Sequence, residues 1–160
     1  MGTEISEKEE LRYAELQGMA LDFARNGDTE DLEKMIIHGM NVNLCTNKDD
    51  SLLMLASYNG NYETTEMLLK YNATIDKVNQ RGQTPLEGVC FKGNLEMVNL
   101  LVNNNCIVSK NAIIYATIFG NIEIVKYLKR YNSNNFKEKI LGVKVEIIAA
   151  IISKTKNIFN

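Results

Sequence analysis

The chain has 160 residues, 45% hydrophobic and 24% charged, which is the size and composition of one globular domain. A formal charge of −2, with no block of Lys or Arg, excludes the electrostatic footprint of non-specific nucleic-acid binding. Cys45, Cys90 and Cys106 have neither CxxC spacing nor clustered histidines, so no disulfide framework or metal site is expected and a reducing compartment fits best.

In chain order, residues 1–10 are acidic and lack the apolar run of a secretory signal, which points to a cytoplasmic protein. Residues 6–17 are expected to form a capping helix, with Leu11 and Ala14 packing and the glutamates in water. Beyond it, Gly27, Gly60, Gly93 and Gly120 stand in matching settings, each followed by Asp or Asn and, two residues later, by Glu. The first two steps are 33 residues and the last is 27, a period that belongs to stacked supersecondary units.

Each unit reads as two helices. A short inner helix with small or apolar inward residues (Ala24; Leu53 and Ala56; Leu86 and Val89; Ile113 and Ala116) ends at the glycine, which takes a left-handed conformation without a Cβ clash. Asp28, Asn61, Asn94 or Asn121 then caps the second helix, and Glu30, Glu63, Glu96 and Glu123 sit in its first turn, favoured by the helix dipole. In that helix the inward stripe follows i, i+3, i+4 spacing: Leu32, Met35, Ile36; Thr65, Leu68, Leu69; Val98, Leu101, Val102; Val125, Leu128. A lone pair of helices cannot bury such a stripe, whereas stacked neighbours can.

The segment Gly82-Gln83-Thr84-Pro85-Leu86, followed by Gly93, Leu95-Glu96-Met97-Val98 and Leu100-Leu101, resembles an ankyrin repeat over its whole length. The resemblance implies an all-α ankyrin-repeat solenoid of about four helix-turn-helix repeats with short β-hairpin fingers and helical N- and C-terminal caps. It divides a single domain, 1–160, into a cap at 1–17, four repeats at 18–132 and a C-terminal helical cap at 133–160, whose Ile-rich helices in 134–156 would cover the last repeat. Glu87 replaces the family's usual His, and the turns at Ser51-Leu52-Leu53-Met54 and Asn111-Ala112-Ile113-Ile114 are degenerate, so these turns are expected to be fixed less tightly. The residues missing before Gly120 fall around 108–110, where the finger should shrink to a plain turn.

His38, the one histidine, has no oriented partner group, and no phosphate-cradling loop is present, so no catalytic residue, cofactor or metal is assigned. The resemblance implies instead a non-catalytic module that binds another protein through finger tips and the outward side of the inner helices. Those positions are Arg25, Asn47, Lys48, Asp50, Tyr58, Asn59, Gln80, Arg81, Gln83, Phe91, Lys92, Ile118 and Phe119. Arg25, Tyr58, Phe91 and Ile118, two residues before each glycine, form one column that either grips a partner or lies flat on the neighbouring repeat. The chain is expected to be monomeric, with no nucleic acid or membrane among its partners. Three roles stay open: regulator of one enzyme, since the segment from Arg81 to Phe91-Lys92 resembles a bacterial subgroup often associated with catalase; inhibitor or immunity protein against a toxin; and self-associating structural unit.

Overall fold

The structure, a computed structural model, describes residues 7–132. It contains α1 (Glu7–Asn26), α2 (Thr29–Ile37), α3 (Leu52–Asn59), α4 (Tyr62–Lys70), α5 (Pro85–Lys92), α6 (Leu95–Asn103) and α7 (Lys110–Ile118). An eighth helix, α8, begins at residue 122 and is described through 132. The helices α1, α3, α5 and α7 pack in sequence as an inner row, and α2, α4 and α6 back them as an outer row.

Small residues let the inner helices approach closely: Ala20, Ala24, Ala56, Ala112 and Ala116 are fully buried. The outer-helix stripes reach the same interior, with Leu32, Leu68, Val98, Leu101 and Leu128 wholly inaccessible. One apolar cluster fills the first two helix pairs and another the last two, with Leu69 and Ile75 packed against both. Burial of a Leu or Val side chain contributes about 1.5–3 kcal/mol, so these columns are the main source of stability.

Hydrogen bonds join the repeats at the same register. Asn43 Oδ1 accepts from the Thr74 N–H at 2.8 Å, and 33 residues on Asp76 Oδ1 accepts from the Ile107 N–H at 3.0 Å. At the other end of the helices Asn61 Nδ2 donates to the Ala24 and Arg25 carbonyls at 3.0 and 2.9 Å, and Asn121 Nδ2 to the Cys90 carbonyl at 2.8 Å. Of the expected cappers of the second helices, Asn94 does cap, accepting from the Met97 N–H at 3.0 Å. Asp28 and Asn61 make no such bond. Asn61 is spent on the preceding repeat, where it satisfies carbonyls that α1 leaves open at its C-terminus.

Three local expectations are corrected. The N-terminal cap and first inner helix are one uninterrupted 20-residue helix, since Gly18 alone costs a helix only about 1 kcal/mol. Leu11 is 65% exposed and Ala14 is exposed too, because within the described residues the buried part of α1 starts at Ala20. The degenerate turns are also well fixed. Ser51 Oγ accepts from the Met54 N–H and Ser109 Oγ from the Ala112 N–H, both at 3.1 Å, so the N-cap of α7 is Ser109, two residues ahead of Asn111. Glu87 completes a capping box with Thr84 and accepts from Ser109 Oγ at 2.7 Å, tying the third repeat to the fourth. The expected C-terminal helices at 134–156 lie outside the described residues.

The fingers are hairpin-like turns that stop short of a ladder. Among the described residues the single bridge is antiparallel, Cys45 to Ser51, and no strand forms. Residues 71–84 separate α4 from α5, whereas residues 104–109 separate α6 from α7, so the last finger is reduced to a plain connection.

Candidate functional site

Two finger turns are organised by residues one period apart. Thr46 Oγ1 accepts from the Lys48 and Asp50 N–H groups, each at 3.2 Å. Asn79 Oδ1 accepts from the Arg81 and Gln83 N–H groups at 3.0 and 3.1 Å. Asn79 is 95% buried, and its Nδ2 donates to Asp50 Oδ1 at 2.7 Å. The fingers are then zipped side by side: the Gln80 N–H donates to the Lys48 carbonyl at 3.0 Å and Gln80 Nε2 to the Asn47 carbonyl at 2.7 Å. Arg81 faces the shared Asp50 carboxylate at 3.6 Å with 71% of its side chain exposed.

Between these fingers and the inner helices lies a cavity of about 450 Å³. Arg25, Asp50, Tyr58, Asn59, Arg81, Gln83 and Phe91, all expected at a binding face, line it together. Asn47 and Lys48 line an adjoining hollow that shares Arg25 and Asp50. Met54, Leu55, Asn79, Thr84 and Gly88 complete the first cavity and were not among the expected residues. Leu55 and Gly88 stand five residues before their repeat glycines, one helical turn from Tyr58 and Phe91, so i, i+3 spacing carried the signal.

Within the expected face the aromatic rings run from Tyr58 through Phe91 to Phe119. The Tyr58 and Phe91 rings stack with centroids 6.3 Å apart, and Phe91 meets Phe119 edge to face at 4.3 Å. Ile118, the aliphatic member of the expected column, is 68% exposed. The physical reason is reach: the residue directly before a glycine leans back over the residue two before the preceding glycine. Phe119 does so on Phe91, and Lys92 does so on Tyr58, its Nζ lying 4.6 Å above the ring centroid. Such contacts contribute about 0.5–1.5 kcal/mol each. Tyr58 also rests on Gly88, where a Cβ would stand 3.3 Å from the ring. The rings therefore pack on one another and still present a face, with Tyr58 37%, Phe91 39% and Phe119 48% exposed.

Outside this face, His38 is exposed and donates from Nδ1 to the Lys34 carbonyl at 2.7 Å, while the Cys45 thiol points to the Asn43 carbonyl at 3.2 Å. Burial pushes the Cys90 and Cys106 thiols up to about 12, the reverse of what a nucleophile needs. Among the described residues no group of His, Cys, Asp and Glu could hold a metal ion, and no helix is long and apolar enough to cross a membrane.

A family model of ankyrin repeats matches residues 21–111 as three copies. The chain belongs to the ankyrin-repeat family. An ankyrin repeat protein of Pseudomonas aeruginosa is 40% identical over 55 residues, 34% of this chain and 32% of that protein. The crystal structure of the human ASB11 ankyrin repeat domain superposes with a TM-score of 0.65 at 28% identity, covering 71% of this chain and 53% of that domain. The chain thus spans about a third of the bacterial relative and about half of the human domain. Ankyrin repeats are in general protein–protein interaction modules, built on a scaffold that is typically non-catalytic. The pair α7 and α8 continues the array past the matched segment.

Proposed function

We propose that this ankyrin-repeat chain is a non-catalytic module that grips another protein with its concave face, and that the gripped protein is an enzyme whose activity it sets. The observation that carries the reading is the half-exposed column Tyr58–Phe91–Phe119 beside a cavity rimmed by Arg25, Arg81 and Asn59. An apolar centre with aromatic anchors and a polar rim is the usual anatomy of an interface whose energy is concentrated in a few side chains. A photo-cross-linking amino acid placed at Tyr58 in the native cell is expected to capture a discrete partner, while the same group at Lys70, exposed on α4, captures none. Equal capture from both positions, or from Lys70 alone, overturns the concave-face reading. Loss or gain of the captured enzyme's activity on adding the purified chain then tests the regulatory part.

A further inference from the structure

Within the proposed binding role, on which this inference rests, the cavity has a charge character opposite to that of the whole chain. Arg25 and Arg81 line it, and the adjoining hollow adds Lys48. The one carboxylate lining either space is Asp50, and it is already engaged by Asn79 Nδ2 at 2.7 Å. The chain as a whole carries −2. A concave, partly apolar wall concentrates the field of such charges and favours ligands of the other sign.

Neither arginine is saturated by its intramolecular contact. Arg81 sits 3.6 Å from Asp50, beyond hydrogen-bond distance, with 71% of its side chain in solvent. Arg25 pairs with Asp22 across one helical turn at the surface, where the two side chains are 43% and 65% exposed. Exposed pairs of this kind contribute little and exchange readily for another carboxylate. Each guanidinium has five N–H donors in a planar fork matched to a carboxylate. The same cavity has an apolar floor to which Tyr58, Phe91 and the bare backbone of Gly88 contribute.

We infer that the cavity takes an extended acidic peptide segment of the partner, with carboxylates on Arg25 and Arg81 and an aromatic or branched apolar side chain on the Tyr58–Phe91 floor. A phage-displayed library of random dodecapeptides, panned on the full chain, tests this. Enriched peptides would be synthesised and their affinity measured by fluorescence anisotropy with the native chain, the Arg25→Gln/Arg81→Gln variant and Phe91→Ala, each verified as folded by circular dichroism. The expected result is enrichment of Asp or Glu next to Phe, Tyr or Leu. The double Gln variant is expected to lower affinity by about tenfold or more, and so is raising salt from about 50 to 300 mM. Peptides without acidic bias that ignore the arginine changes yet lose binding in Phe91→Ala would overturn the acidic inference and leave the concave-face reading standing. Peptides indifferent to all three changes would overturn the inference that this cavity is a peptide groove. A library that yields no enrichment overturns the peptide-groove inference, while the cross-linking result decides the binding role by itself.

Discussion

Gly93 and Gly60 both stand at positive φ, 83° and 82°, yet their surroundings differ. A Cβ on Gly93 would lie 2.5 Å from Asn121 Oδ1, whereas on Gly60 its nearest neighbour would be Asn94 Nδ2 at 3.5 Å, an ordinary contact. Gly60→Ala should therefore cost only the left-handed backbone penalty, about 1–2 kcal/mol. Gly93→Ala should cost more, because the Asn121 side chain that holds the Cys90 carbonyl must also move. Urea denaturation of the two variants checks this; equal midpoints would show that the Asn staple carries no load. The thiols give a second residue-scale test. Cys90 and Cys106 are buried with their pKa near 12, and Cys45 is partly accessible. A thiol reagent at pH 8 should label Cys45 alone in the folded chain, and rapid native labelling of Cys90 would contradict the packing.

At the scale of the element, what makes one repeat hold the next is partly apolar and partly polar. Truncation to Ala of Leu68, fully buried on α4 within the first core cluster, should cost about 2–5 kcal/mol. Glu87 is 97% buried and accepts from the Thr84 N–H at 3.2 Å and from Ser109 Oγ at 2.7 Å. Glu87→Ala should cost about 1–3 kcal/mol, since it strands two part-buried donors; an unchanged midpoint in urea would show that water replaces both bonds. Much of this level was legible in the sequence: the glycine register, the inward stripes and the lost last finger all follow from periodicity. The compensation at Glu87 was not legible, because comparison with a motif flags the missing His but says nothing of Ser109, its partner 22 residues away. Nor was the second duty of Asn61, since a side chain that could cap its own helix gives no sign in sequence of bonding to the preceding one. The edge-to-face contact of Phe119, which follows α7, with Phe91 was not legible either, because helical phase is constrained less well than helix identity.

For the molecule as a whole, the stacked repeats turn a one-dimensional register into a face. Inner helices bring the positions before each glycine side by side, and the fingers, zipped through Gln80, wall one edge. Buried columns behind that face carry stability, while the face itself is free to carry recognition. The two should separate in a paired measurement on Phe91→Ala and Leu68→Ala: affinity for the protein captured through position 58, and urea denaturation of the free chain. Phe91→Ala is expected to weaken binding about thirtyfold, on the order of 2 kcal/mol, while costing the free chain clearly less than Leu68→Ala does. If Phe91→Ala unfolds as readily as Leu68→Ala and its folded fraction binds the partner normally, the aromatic column is core and the concave face is not where this protein acts.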